Sequence, residues 1–217
     1  MMLKTFAAAA GRLATLLALA GCAPMALSQS SRPLLTLEKT FELPAVKGRI
    51  DHLAIDLTHK KLFVAELGNG TVEAIDLASG KIAGRIDGLG EPQGLGYLVE
   101  RDELVVASGD GFVRFYRGDT LAPAGELKLG DDADNVRIDP ATGSVVVGYG
   151  GGALAIIDPA TRKVTATIAL PAHPESFRID ALHHRAFVNL PGAGKIAVTD
   201  LVTATVISLR PAAYAAN

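Results

Sequence analysis

Polar and ionisable residues recur at one kind of place in this sequence, just before apolar segments that follow one another with a period of about 41 residues. The positions of His52, Gln93, Asn135 and Ser176 differ by 41, 42 and 41, and acidic residues stand beside them. Carboxylate, imidazole and amide groups that converge on a concave surface can bind a small polar ligand. The predicted ligand-binding residues are Asp51, His52, Glu91, Gln93, Asp134, Asn135, His173, Glu175 and Ser176.

A structural explanation of the same residues also stands. Asp, Asn and Ser at the entrance of a strand often bond to their own backbone and shape the turn, so they would recur because the turn recurs. A purely structural device would tend to repeat one residue type, whereas this position varies. The sequence therefore leaves turn formation and ligand binding both open.

Motifs for covalent or metal-assisted catalysis are missing from the sequence. It contains no Gly-x-Ser-x-Gly motif and no close pair of metal-ligand residues such as His-x-His or Cys-x-x-Cys. Asp51, His52, Asp134 and Glu175 are residue types that bind metals, but their spacing leads us to predict no metal and no cofactor. Arg49, Arg137 and Arg178 lie near the same phase, and we expect them to pair with the acidic residues or, alternatively, to bind an anionic ligand.

These residues belong to a repeat. Small-residue turns at 68–70, 109–111, 150–152 and 192–194 have midpoints that differ by 41, 41 and 42, and Asp56, Asp139 and Asp180 recur in phase with them. The glycine-rich turns do not open helices, so they indicate hairpins and not phosphate-binding loops. His59 and His183, which lie in the turns after Asp56 and Asp180, are predicted to be solvated turn residues.

Each unit divides into four short strands. In the first unit we predict strands at 50–55, 62–66, 71–77 and 81–86, separated by turn residues such as Asn69-Gly70 and Ser79-Gly80. Four antiparallel strands in a unit of about 41 residues are typical of a β-propeller blade, whereas a β-sandwich would need no fixed period. The sequence predicts an all-β fold with propeller repeats over 34–211 and blades at about 48–88, 89–130, 131–171 and 172–211.

Residues 62–81 read LFVAELGNGTVEAIDLASGK, and residues 158–163 repeat the end of that stretch as DPATRK. This signature resembles the YVTN-type β-propeller repeats of YncE-like bacterial envelope proteins. The resemblance covers residues 48–211 and implies a ring of about seven blades, whereas only four units are present. We therefore expect an open arc or incomplete ring from a truncated chain, with tight closure of four blades as the alternative. Residues 34–43 have the pattern of one more strand.

The first 22 residues are typical of a bacterial export signal. Lys4 and Arg12 precede an apolar run that ends in Leu19-Ala20-Gly21-Cys22, which resembles the lipobox of a lipoprotein. Acylation of Cys22 would anchor the chain to a membrane. The uncharged Ala23 after it favours a periplasmic protein anchored in the outer membrane. The alternative is ordinary cleavage after residues 26–28. Residues 23–33 are predicted to form a tether and residues 212–217 a C-terminal tail.

Charge and composition narrow the function. Removal of residues 1–22 deletes two basic residues and no acidic one, leaving 19 Lys and Arg against 23 Asp and Glu, a net charge of −4. Nucleic acid is therefore not an expected partner. The sequence favours a non-catalytic envelope scaffold that binds a small ligand or an envelope protein. The alternative is a hydrolase or lactonase-like enzyme, or a dehydrogenase-associated propeller, with its site in the channel mouth; the absence of Trp speaks against a quinoprotein type.

Overall fold

A computed structural model describes residues 35–212, which form sixteen strands and three short 3-10 turns. The first two blades comprise β1 (Ile50–Asp56), β2 (Lys61–Glu66), β3 (Thr71–Asp76), β4 (Ile82–Ile86), β5 (Pro92–Leu98), β6 (Glu103–Ser108), β7 (Phe112–Arg117) and β8 (Pro123–Lys128). The next two comprise β9 (Ala133–Ile138), β10 (Val145–Tyr149), β11 (Ala153–Asp158), β12 (Lys163–Ala169), β13 (Ser176–Asp180), β14 (Arg185–Leu190), β15 (Lys195–Asp200) and β16 (Thr205–Pro211). The 3-10 turns are Leu67–Asn69, Val99–Arg101 and Pro191–Ala193.

Every unit folds into a four-stranded antiparallel sheet whose strands pair in chain order. This confirms the all-β, propeller-like arrangement, and the strands of the first unit lie within one residue of their predicted bounds. The repeated glycine turns connect the strands of the hairpins. Gly70 has a φ of 68°, a conformation that residues with a Cβ atom disfavour, and its N–H donates to the Leu67 carbonyl.

The sheets stack face to face through three apolar clusters, one between each pair of successive blades. Alternation along β6 shows how an inner blade serves two neighbours, because Leu104 and Val106 face the first blade while Val105 and Ala107 face the third. Both faces of such a strand are buried, so its central residues 104–107 are continuously apolar.

The outer faces of the first and fourth blades end this stack. Leu53 and Ile55 on β1, and Phe187 and Ile196 on the fourth sheet, are large apolar side chains that remain exposed. Among the described residues no buried cluster joins the fourth blade back to the first. The four blades therefore form an open arc.

The strand predicted at 34–43 does not form in the described part of that stretch, residues 35–43. Residues 39–47 instead run along the first blade without joining its ladder. Lys39 Nζ donates to the Ala78 carbonyl at 2.8 Å, and Asn69 Nδ2 donates to the Ala45 carbonyl at 2.9 Å. These contacts are made to the two turns that flank β3. Residues 39–47 are therefore held by the ends of the first sheet and add no strand to it. Residues 35–38 are exposed.

The first strands of successive blades lie side by side. β1 contacts β5, β5 contacts β9, and β9 contacts β13, so these strands line the concave inner surface of the arc. Because all four first strands run in the same sense, their entrances meet at one end of that surface. This arrangement brings the repeated polar residues together.

Candidate functional site

Strand pairing fixes which residues are equivalent at the four entrances. Leu53, Leu95, Val136 and Phe177 pair with Val64, Val106, Val147 and Val188, respectively. Counting back two residues along each first strand gives Asp51, Gln93, Asp134 and Glu175 as one ring. The spacing of the repeats in the sequence predicts that Gln93 is equivalent to His52, and this register is wrong by one residue in the second blade. The structural equivalent of His52 is Gly94.

A glycine is required at that position in the second blade. A Cβ atom on Gly94 would overlap the backbone carbonyl oxygen of Asp134, far inside van der Waals contact. The first strands of the second and third blades therefore approach too closely for a side chain here. The imidazole of His52 has no counterpart in the second blade for this reason.

The ring opens into a cavity of about 410 Å³ at the channel mouth. Four residues of the ring and four from adjoining positions form its wall. The lining residues are Arg49, Asp51, His52, Gln93, Asp132, Asp134, His173 and Glu175. Six of the nine predicted ligand-binding residues are thus brought together.

The other three predicted residues lie elsewhere. Glu91 is exposed, and its carboxylate lies beside Gly109 because a φ of 56° turns the chain away from the cavity. Asn135 is fully buried, and its Nδ2 donates to the Glu175 carbonyl at 2.5 Å, so it holds the entrance of the fourth blade in place. Ser176 points to a different hollow, next to Phe187.

Arg49 and Asp132 line the cavity but were not among the predicted ligand-binding residues. In the register that the strand pairing gives, they are equivalent to Glu91 and His173, and the four positions in chain order differ by 42, 41 and 41. Asp132 accepts a hydrogen bond from Gln93 Nε2 at 3.1 Å, across the interface between two blades. A search of the sequence two positions before the ring would have found both residues.

Carboxylates dominate the charge of the cavity. Asp51, Asp132, Asp134 and Glu175 all contribute to the wall, while the guanidinium of Arg49 is engaged by Asp51 at 2.9 Å. Asp134 is 7% exposed, and its Oδ1 is buried without a hydrogen-bond partner. Burial raises the pKa of Asp134, with the charges of Asp51 and Asp132 acting in the same direction and His52 and His173 opposing them.

Two histidines flank this carboxylate. His173 Nδ1 lies 2.6 Å from the Gly150 carbonyl oxygen, which can only accept, so Nδ1 carries the proton. His173 Nε2 is then directed at Asp134 Oδ2, 3.8 Å away. His52 Nδ1 lies 3.1 Å from Asp51 Oδ1 and 3.9 Å from Asp134 Oδ1 but forms no hydrogen bond of good geometry. The cavity thus offers a buried acceptor and two imidazoles to a ligand.

A metal-like grouping of side chains occurs elsewhere in residues 35–212. The ligand atoms of Asp56, His59 and Asp102 lie within 4.8 Å of one another, in turns at the far end of the first two blades. Hydrogen bonds within these turns already occupy this group, including one at 2.7 Å between His59 Nδ1 and Asp56 Oδ2. The carboxylates and imidazoles of the mouth cavity are more widely spaced.

Comparisons with known proteins identify the fold alone. No family model and no curated protein sequence matches the chain. Among solved structures it is similar to Kuenenia stuttgartiensis hydrazine synthase, with a TM-score of 0.67 and 17% identity. The match covers 79% of this chain and 52% of that one, so the chain spans about half the length of this structural relative. Within the described residues, no helix is long and apolar enough to cross a membrane.

Proposed function

We propose that this protein is a non-catalytic binding scaffold that holds a small, polar, positively charged ligand in the mouth cavity. The observation that carries the proposal is Asp134, a buried carboxylate with an oxygen that lacks a hydrogen-bond partner. A buried charge is costly unless it is paired. An ammonium or guanidinium group of a ligand would supply both the donor and the charge.

The surrounding residues favour a cationic ligand over other classes. Arg49 is held by Asp51, and Gln93 donates to Asp132, so neither is directed at Asp134. Asp132 and Glu175 add negative charge at the rim, which would attract a cation and repel an anion. The polar wall also argues against an apolar ligand.

A hydrolase is the second candidate, because Asp134 and His173 resemble an acid–base pair. A carboxyl group of raised pKa lies 3.8 Å from an imidazole nitrogen whose tautomer is set by Gly150. Hydrolysis of a lactone or ester panel by the wild-type protein, abolished in His173→Asn, would favour this candidate over the scaffold.

Isothermal titration with four probes tests the scaffold proposal. The probes are 1,5-diaminopentane, agmatine, 1,5-pentanediol and glutarate, which compare ammonium, guanidinium, neutral and anionic groups on similar chains. We expect the two cations to bind, and Asp134→Asn to weaken them roughly tenfold or more, since hydrogen bonds to charged groups contribute about 1.5–3 kcal/mol.

Asp87→Asn is the matched control, because the Asp87 side chain is exposed and lies outside the cavity. It should bind the cations as the wild-type protein does. Equal affinity for the diamine and the diol, or unchanged cation binding in Asp134→Asn, would refute the proposal.

We also propose that the scaffold works in the cell envelope, anchored through an acylated Cys22. The lipobox-like residues 19–22 and the resemblance to YVTN-type envelope propellers support this location. Cys22 lies outside the described residues. Mass spectrometry of the mature N-terminus should find an acylated cysteine in the wild-type protein, and Cys22→Ser should shift the protein from the membrane to the soluble fraction. A wild-type N-terminus beyond residue 28 would contradict it.

A further inference from the structure

Two arginines lie further along the inner surface than the acidic ring. Arg137 on β9 and Arg178 on β13 each follow a ring residue, Asp134 or Glu175, by three positions. Together they line a hollow of about 380 Å³. This hollow is distinct from the mouth cavity, and His52 contributes to both.

Within residues 35–212, neither arginine forms an ion pair with a carboxylate. Arg137 Nη1 donates to the Val136 carbonyl at 2.6 Å, and Arg137 Nε is buried without an acceptor. Among the described residues, Arg178 likewise forms no ion pair with a carboxylate, and it lines the same hollow as Arg137. Burial, followed by the charge of Arg178, lowers the pKa of Arg137, whereas Asp134 opposes this shift from beyond ion-pair distance.

Other arginines, within and between the blades, show what a purely structural role looks like here. Arg162 Nη2 lies 2.7 Å from Glu103, and Arg114 Nη2 lies 2.7 Å from Asp110. Arg85 Nη2 lies 2.5 Å from Glu73. Two adjacent guanidinium groups without such partners are electrostatically costly, so their position calls for an anion.

The walls of the hollow would strengthen that interaction. Leu95, Val136 and Ile138 line it beside the arginines, and apolar side chains next to a charge reduce its screening by water. A guanidinium group presents two parallel N–H donors, which match the two oxygens of a carboxylate or phosphate. Phe177 supports the Arg137 guanidinium, with its ring centroid 5.7 Å away.

We propose that Arg137 and Arg178 form a subsite for an oxyanion, namely a carboxylate or phosphate group. This subsite uses different residues from those proposed to bind a cation at the mouth. It therefore stands or falls independently of the proposed function.

Titration of the purified protein with inorganic phosphate, acetate and chloride at constant ionic strength tests the subsite. Phosphate or acetate should bind more tightly than chloride, which cannot accept two parallel hydrogen bonds. Arg178→Gln should weaken oxyanion binding roughly tenfold or more, as expected for loss of a charged hydrogen bond. The oxyanion affinity of Arg178→Lys should lie between those of the wild-type protein and Arg178→Gln, because lysine keeps the charge and loses the paired donors. The tighter of the two oxyanions identifies the group.

Arg210→Gln is the matched control, since Arg210 is an exposed arginine on β16 that does not line the hollow. It should bind oxyanions as the wild-type protein does. Absence of oxyanion binding in the wild-type protein, unchanged affinity in Arg178→Gln, or an equal loss in Arg210→Gln would overturn the proposal.

Thermal unfolding without added anion provides a second measurement. Arg178→Gln should melt at or above the wild-type temperature, because it removes the like-charge repulsion with Arg137 and breaks no ion pair within residues 35–212. A melting temperature several degrees lower would make Arg178 a structural residue and overturn the proposal as well.

Discussion

The strand entrances and the turns between first and second strands both carry polar residues at the blade period, but their buried carboxylates differ in whether the chain supplies hydrogen-bond donors. In the turn of the first blade, Asp56 accepts hydrogen bonds from the Thr58 and His59 backbones at 2.9 and 3.1 Å and contacts His59 Nδ1 at 2.7 Å. Asp139 and Asp180 do the same in the third and fourth blades. At the entrance, Asp134 Oδ1 has no such partner.

This difference separates residues that build the blade from residues available to a ligand. Periodicity is equally strong in both sets, so it cannot distinguish them. A side chain that bonds within its own turn is explained by the turn. A buried side chain that lacks a partner needs another explanation, and a ligand is the one that the cavity suggests.

The largest expected effect concerns Gly94, the one entrance position where no side chain fits. Gly94→Ala should destabilise the protein by about 3 kcal/mol or more, at the upper end of overpacking effects, because its Cβ meets the Asp134 backbone. Urea denaturation measures the change. Gly151→Ala is the control, since nothing lies within 4 Å of a Cβ there. Equal stability of the two variants would remove the physical reason for the corrected register.

The next effect tests the turns. Asp56→Ala should cost about 2 kcal/mol in the free energy of unfolding, because it removes a buried carboxylate that accepts hydrogen bonds from the Thr58 and His59 backbones. Binding of 1,5-diaminopentane at the mouth should not change. Asp180→Ala, in the same kind of turn on the more exposed fourth blade, should show a smaller loss of stability. If Asp56→Ala instead weakened diamine binding and left stability intact, the division between turns and entrances would fail.

The sequence predicted the blades well because strands, hairpin glycines and turn aspartates are local features. The pairs Leu53–Val64 and Phe177–Val188 could be expected from the repeat alone. The one-residue shift at Gln93 could not, because it depends on how closely β5 approaches the third blade at Gly94. Close approach between distant segments leaves no periodic mark.

The candidate site was predicted in part for the same reason. Six residues were found because they lie at or beside the repeating entrance positions. Asp132 was missed, although its equivalents Glu91 and His173 were predicted, because the residue type at that position differs in every blade and shows no recognisable repeat. Asn135 repeats as the ligand residues do, yet its side chain is used between blades. The proposed roles of Arg137 and Arg178 depend on the absence of an ion pair to a carboxylate among residues 35–212 of the folded chain. No sequence pattern records that absence.

The smallest expected effect has the opposite sign and depends on pH. Burial raises the pKa of Asp134 in the folded protein, so this carboxyl stabilises the fold only while protonated, and its contribution is lost as the pH rises through its folded-state pKa. The free energy of unfolding of Asp134→Asn at pH 7.5 should therefore exceed that of the wild-type protein by about 1 kcal/mol. The gain should shrink as the pH falls towards 4, because a larger fraction of the wild-type carboxyl is then protonated.

Asp56 should show the reverse dependence. Burial acts to raise its pKa, but hydrogen bonds from His59 outweigh burial and lower it, so its contribution is present at neutral pH and is lost as the pH falls. Urea denaturation of the wild-type, Asp134→Asn and Asp56→Ala proteins at pH 4, 5.5 and 7.5 compares the two carboxylates directly. If Asp134→Asn proved less stable than the wild-type protein at pH 7.5, Asp134 would have a stabilising partner within the fold. It would then be a structural residue, as Asp56 is in its turn.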